Sequence, residues 1–544
     1  MNDVLLGQES AEVDTLLYKC AIPKNIEGYK SIITGRWGTG KTAVLLLRNE
    51  ALKRKLEELN VDWREAVYIN ESAMDIVQIL SIKEKEESLM FNQKVEIIWK
   101  GEIIRRAIML LNALLPIYKH IDTNAFHWKI IKGSKKIGAL SMPLWKQIPN
   151  ILKFIGDSAE RSEVIDDCSI RFSDIFQENI FQEIQKCLRD IKNEEIQPRI
   201  IVEPIDTPTS ALEEHTGMAQ TIITSLLNIY QSNFIKSDDQ LLRVDIAVPW
   251  HRYSVLKLNF PQKLIAYKAY LSWTKQELRN FINIRLNSEF ENVGRGFSKK
   301  GNLDEWDSIF VKTIANDYCY PSVTEGSFEY ILRHTHHRPR ELQRITRMCI
   351  ETCSKRTGKS VSDVLKGSAG IRISANHIKE AIRNFTIDAW TMEIMIEAER
   401  RFMGINEVVS NSLYGLPVPF AIDDLKKRES DYNKIMKNLD LLWQAGIIGI
   451  QLKCLKNRED KKCSENCRVR INILPSDEAK KKYTNKKNEF CCKWTFFEYN
   501  WSGDQNEIIH HFQEDPFISI KYIIHPKGFE TLLPKVSTNW PVGI

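Results

Sequence analysis

Eight consecutive residues, Gly35-Arg36-Trp37-Gly38-Thr39-Gly40-Lys41-Thr42, hold the pattern G-x-x-x-x-G-K-[ST] without a departure. The chemistry it suits is capture of a polyphosphate. Backbone N–H groups of such a loop, and of the helix that follows it, carry positive partial charge toward phosphate oxygens. Lys41 then reaches the β- and γ-phosphates and the Thr42 hydroxyl holds Mg2+. Gly38 and Gly40 let the backbone approach a triphosphate closely, and Gly35, Trp37, Thr39 and Ala43 complete the expected binding set. At average glycine, lysine and Ser/Thr usage the pattern arises by chance about 0.02 times in a chain of this length, so it is read as a site. The alternative is a glycine turn that only joins a strand to a helix.

A phosphate cradle needs a second anchor, an acid at the end of a buried strand that holds Mg2+ or orients water. Arg199-Ile200-Ile201-Val202-Glu203-Pro204-Ile205-Asp206 supplies Glu203 at the strand end and Asp206 three positions later. Glu203 and Thr42 are the expected magnesium pair, and Glu203 and Asp206 the expected catalytic acids. The alternative is a core strand with solvated terminal acids.

The elements that must position these residues follow from periodicity. Tyr29 to Thr34 reads as a strand, Ala43 to Leu59 as helical, and Ala66 to Asn70 as a second strand. Residues 71–187 read as almost wholly helical, too long for one crossover, and are taken as an insertion within about 73–190. Strand character returns at Arg199 to Ile205 and Val244 to Val248, with a helix at Met218 to Tyr230 between them. From Trp273 to Arg400 helical spacing dominates, as in a lid. Helices near Ile422 to Arg428 and at Tyr432 to Gln444, then strands at Ile447 to Leu452 and Arg468 to Leu474, follow the order of a winged helix-turn-helix. The expected class is α/β. Its parts are a P-loop core (1–270), a helical lid (271–400), a winged helix (401–475) and a small β-rich tail (476–544).

These features together resemble the AAA+-related P-loop ATPases of the STAND and KAP type. The likeness rests on Ala11-Glu12 and Leu16-Leu17 ahead of the first strand, on the phosphate loop, and on Glu203-Pro204-Ile205-Asp206 in the place of an acidic D-D-L-D segment. It continues through Ala269 to Trp273 with Glu277-Leu278 and Ile284-Arg285, through Arg338-Pro339-Arg340-Glu341-Leu342, and through Ile373 to Glu380. Departures are Trp37 in place of a basic residue, Glu203 in place of Asp, and Pro204 where a catalytic Glu often stands. In the family the R-P-R-[DE]-L segment begins the second-sensor helix, which implies that Arg340, or equally Arg338, reads the γ-phosphate. The alternative is that both arginines cap or pair with nearby acids. Arg285 acting on a neighbour's nucleotide stands against a solvated helix arginine. The resemblance implies ATP and Mg2+ as ligands, slow hydrolysis, and a setting in bacterial conflict systems such as antiphage defence.

Other residue patterns carry weaker chemistry. Cys454, Cys463, Cys467, Cys491 and Cys492 crowd the expected wing, and four of them could close a Zn2+ site; free thiols are the alternative. His334-Thr335-His336-His337 matches no metal spacing and reads as a loop or helix start. The Tyr432 to Gln444 helix, with Ile435, Leu439, Leu442 and Trp443 on one face and Lys434 and Lys437 on the other, could meet DNA or a protein. Lys129, Lys132, Lys135, Lys136 and Lys146, interleaved with Trp128 and Trp145, form either a nucleic-acid surface or a solvated face.

Composition bounds the rest. The 544 residues fit three to four domains, with 43% hydrophobic and 27% charged residues. A net charge of +6, from 77 basic and 71 acidic residues, demands neither nucleic acid nor a membrane. The first residues lack a secretory apolar core, and the longest apolar run, Ile103 to Ile117, is broken by Arg105 and Arg106. Eleven scattered cysteines suit reduced thiols. The expectation is a soluble cytoplasmic ATP switch that acts on a protein partner, a second copy or DNA, with no membrane. A nucleotide-bound scaffold without turnover is the rival.

Overall fold

The computed structural model describes residues 5–6, 30–36, 38–69, 89–117, 124–125, 127–129, 178–191, 198–203, 216–234, 241–249, 253, 256, 261–294, 305–316, 323–367, 370–390, 395, 398, 404–454, 493–496, 518–532 and 535–536. Two compact units emerge, one of residues 8–271 and one of residues 1–7 with 272–544.

The first unit is mixed α/β around a five-stranded parallel sheet. Its strands are β1 (Ile32–Gly35), β2 (Tyr68–Ile69), β3 (Arg199–Val202), β4 (Arg243–Pro249) and β5 (Lys268–Tyr270), in the order β2-β3-β4-β1-β5. β1 is inside the sheet, with Thr34 level with Val248 of β4 and with Tyr270 of β5. Runs such as Ile32-Ile33 and Ile200-Ile201-Val202 are apolar without alternation because both faces of a parallel sheet are covered. The strand expected at residues 66–70 is shorter than that, because Asp62 caps a helical turn, α3 (Trp63–Val67), through the Arg64 N–H. β5 follows Pro261–Ile265, and its three residues are too few to show a strand period.

Helices α1 (Lys41–Arg48) and α2 (Glu50–Glu58) leave β1, broken at Asn49, whose amide side chain donates to the Leu45 carbonyl at 2.9 Å. Helices α4 (Leu89–Leu114) and α5 (Glu178–Asp190) are the described parts of the insertion, and α6 (Thr216–Ile229) follows β3. Arg105 and Arg106, which interrupt the apolar run of α4, are buried and share Glu102 at 2.6 and 2.7 Å. Trp99 of α4 donates to the Ile222 carbonyl of α6 at 3.0 Å. Among the described residues no helix is long and apolar enough to cross a membrane.

The second unit carries helices α7 (Lys275–Asn292), α8 (Ser327–Arg333), α9 (Pro339–Thr357) and α10 (Ala375–Ala389). It is not wholly helical before residue 400. β6 (Thr313–Asn316) and β7 (Val323–Gly326) pair antiparallel there, a ribbon that the polar makeup of Thr324 and Glu325 hides from periodicity. Beyond them lie α11 (Ile405–Leu413), β8 (Pro417–Val418), α12 (Ile422–Lys426), α13 (Tyr432–Gln444) and β9 (Ile448–Cys454). β9 is the middle of a three-stranded antiparallel sheet between β10 (Lys493–Phe496) and β11 (Ile518–Ile524), and β12 (Lys535–Val536) pairs with β8. The described partners of β9 therefore both come from the stretch read as a separate tail. The strand expected at Arg468 to Leu474 lies outside the described residues. Ile435, Leu439, Leu442 and Trp443 of α13 are buried in the core of this region.

Candidate phosphate-binding site

The loop between β1 and α1 closes on the Arg36 carbonyl. The Arg36 carbonyl accepts from Thr39 Oγ1 at 2.7 Å, from the Thr39 N–H at 3.4 Å and from Lys41 Nζ at 3.2 Å. Gly38 and Gly40 have φ of 75° and 93°, the left-handed region that glycine enters without strain. At Gly35 a Cβ would lie 2.8 Å from Thr39 Oγ1 and 3.2 Å from Leu271 Cβ, so only glycine lets the loop close onto the end of β5. Gly40 is the N-cap of α1 with no side-chain cap, and the first turn carries no acid. The amino end of that helix thus keeps its positive potential.

Lys41, Thr39 and Arg36 are buried, whereas Thr42 and Ala43 are partly exposed. Trp37 lies outside the described residues. β4 stands between β1 and β3, which sets those strands about 9.6 Å apart. Two side chains cross that gap: Thr42 Oγ1 donates to Glu203 Oε1 at 2.5 Å. Glu203 is buried at the carboxyl end of β3, tied by its N–H to the Ile69 carbonyl of β2 at 2.9 Å. Its other oxygen, Oε2, accepts from the Tyr68 hydroxyl. Tyr68 is not among the site residues expected from the sequence. Its signal was an aromatic with a hydroxyl in the strand next to the acid, which pattern alone does not separate from core.

The residues fit a magnesium-bound triphosphate: a glycine loop, a helix start with no competing acid, a lysine, and a hydroxyl and carboxylate side by side. Among the described residues no group of three or more His, Cys, Asp or Glu could hold a metal by itself. Such a magnesium site would therefore need phosphate oxygens and water besides Thr42 and Glu203. Asp206 lies outside the described residues.

The second unit holds the other candidates. Arg340 is exposed on the first turn of α9. Arg338 is buried, with its guanidinium 3.5 Å from Glu341 on its own helix. Arg285 is neither solvated nor displayed to a neighbour; it is buried, with its guanidinium over the Phe281 ring at 4.6 Å and a bond to the Leu6 carbonyl at 2.7 Å. The side chain of Cys454, together with Cys463, Cys467 and Cys491, lies outside what is described. The described cysteines Cys187, Cys349 and Cys353 are free thiols and buried.

The histidine cluster proves to be a buried polar knot. Lys527 Nζ lies 2.6 Å from Glu341 Oε1 and 3.1 Å from His336 Nδ1, which makes that nitrogen an acceptor. His336 Nε2 then donates to the Gly446 carbonyl at 3.2 Å, and His525, stacked on His336 at 4.1 Å, donates to the Thr335 carbonyl at 3.2 Å. Burial, and then the Lys527 charge, push the His336 imidazole down to about 3. Burial likewise pushes His334 down to about 4, against its bond to the Tyr330 carbonyl. Burial alone would raise the Glu341 carboxyl, but Lys527 and Arg338 hold it well below the usual range. Trp128 is also core: it is buried, with its indole N–H on Asp190 at 2.7 Å, and the lysines from Lys132 onward lie outside the described residues.

A scan of protein-family models, a search of curated proteins and a search of solved structures each gave no match to this chain.

Proposed function

We propose that the β1–α1 loop binds ATP with Mg2+ and that the chain is a slow ATP-hydrolysing switch of the P-loop class, within the AAA+-related group of STAND and KAP type that its motifs resemble. The observation that carries this reading is that Thr42, at the end of the complete glycine-lysine pattern, meets the carboxylate of Glu203 across an intervening strand. A ligand crevice at the carboxyl ends of a parallel sheet belongs where the connections reverse direction, and β1 is that strand here. The chain leaves β1 for the far edge, steps back through β3 and β4, and then crosses to β5 on the other side.

In this reading Lys41 and the loop N–H groups neutralise phosphate charge, while Thr42 and Glu203 hold the metal. Bound MgATP would supply a γ-phosphoryl group for transfer to water, the bond to the bridging oxygen of ADP breaking as the bond to water forms, with ADP, phosphate and a proton released. Tyr68 fixes the Glu203 carboxylate, so that its orientation toward metal or water is set by a strand rather than by solvent. The second unit, read as containing a winged helix, would convey the nucleotide state to a protein partner or to DNA, and antiphage defence is the setting that the resemblance suggests. On α13, Lys434 is already paired with Glu429 at 2.6 Å, which leaves a weakly basic outward face and favours a protein partner.

One observation favours a nucleotide-bound scaffold without turnover. Both Glu203 oxygens accept bonds from protein hydroxyls, and Pro204 follows. Phosphate release by the purified chain separates the readings. Hydrolysis predicts release that falls by roughly a hundredfold or more in Glu203→Gln with ATP binding kept; the scaffold predicts bound ATP recovered intact from both proteins.

A further inference from the structure

Leu5 and Leu6 are held in the second unit by side chains far away in sequence, and every one of the four bonds goes to main chain. Arg285 Nη1 and Gln343 Nε2 both donate to the Leu6 carbonyl, at 2.7 and 2.9 Å. Arg347 Nε donates to the Leu5 carbonyl at 3.0 Å, and the Leu6 N–H donates to Glu289 Oε1 at 2.6 Å. Arg285 and Glu289 are one turn apart on α7, and Gln343 and Arg347 are one turn apart on α9, so each helix presents two groups to the same dipeptide. Arg285 and Gln343 are buried, and the Leu6 side chain has 0% exposure. A seam between two helices ordinarily closes with apolar side chains. This one instead directs buried polar groups to a carbonyl. Leu6 also has a φ of 64°, a left-handed conformation that a leucine keeps only where its surroundings dictate it.

We propose that this α7–α9 groove is a peptide-binding site that reads two consecutive backbone units and one leucine side chain. Its occupant is the chain's own Leu5-Leu6 segment, bound as a ligand is bound. The same segment supplied in trans competes for it. Backbone bonds give affinity and the leucine pocket gives selectivity, as in other peptide-recognition grooves.

The test uses the full chain carrying Leu6→Asp, which places a charge where Leu6 has 0% exposure and so expels the segment, and a fluorescent peptide of residues 1–10, MNDVLLGQES. The variant is expected to bind the peptide saturably. The unsubstituted chain should bind it roughly a hundredfold more weakly, because its own segment competes at high effective concentration. Adding Gln343→Ala to the variant should weaken binding by about tenfold through loss of one buried donor. A Leu6→Asp chain that melts cooperatively yet takes up no peptide overturns the proposal, as does equal binding by the unsubstituted chain. Should Leu6→Asp fail to fold, amide exchange decides. In the unsubstituted chain the Leu6 N–H should exchange slowly, and faster by about tenfold in Glu289→Ala. Exchange of that amide at its free-peptide rate would refute the site.

Discussion

Glu203 is held from two sides, and the two hydroxyls that hold it can be removed one at a time. Tyr68→Phe deletes one bond to a buried carboxylate and is expected to lower stability by about 1.5–3 kcal/mol, read by urea unfolding. An unchanged midpoint would mean that the bond contributes nothing. Gly35→Ala brings a methyl to within 2.8 Å of Thr39 Oγ1 and should cost about 1–3 kcal/mol while weakening nucleotide binding, because the Thr39 hydroxyl must leave the Arg36 carbonyl. At this scale the loop residues were legible because glycine, lysine and threonine at fixed spacing have a single joint chemistry. Arg285 was not. A charged residue on a helix reads as solvated unless the segment it serves is known, and here that segment is 279 residues away in sequence.

Among elements, long buried strands, capped helices and the edge strand β2 were readable, while the edge strand β5 and the partners of β9 were not. β3 and β4 announce themselves as apolar runs covered on both faces, and α13 runs over the same residues that its periodicity gives. β5 is three residues, Lys-Ala-Tyr, whose place is set by β1 rather than by its own composition. The knot around Lys527 belongs to this scale, since it ties the turn before α9 to Gly446 and His525. Lys527→Met leaves Glu341 buried without its ammonium partner and is expected to destabilise by about 3–5 kcal/mol. Acid should act on the same knot. His334 and His336 titrate near 4 and 3 in the fold, below the unfolded value of about 6.5, so the unfolded chain binds protons first as pH falls. Stability is then full above pH 6.5 and declines below it, by on the order of 2 kcal/mol per histidine at pH 5. Glu341, depressed below its ordinary value, adds a loss in the same direction at lower pH. Hydrogen exchange of peptides covering residues 330–345 and 518–532 at pH 7 and pH 5 checks this; equal protection at both would contradict it.

At the scale of the whole molecule, residues 1–7 cluster with residues 272–544 although they precede β1 in the chain. No pattern in the sequence could show this, because the contacts that hold Leu5 and Leu6 are made to backbone atoms common to every residue. The α/β class with its parallel sheet was legible; the order of its strands was not, since β5 went unseen. If the β1–α1 loop is the triphosphate site, saturating MgATP at about a hundred times Kd should stabilise the unit that contains it by about 2.7 kcal/mol, with exchange slowed at residues 32–48 and 199–203. The most direct measurement is equilibrium binding of labelled ATP, with magnesium, to the purified chain and to Lys41→Ala. Saturable binding is expected, weakened by the substitution at least about tenfold through the loss of one charge-assisted contact to phosphate. No binding at millimolar ATP, or equal binding by both proteins, would contradict it.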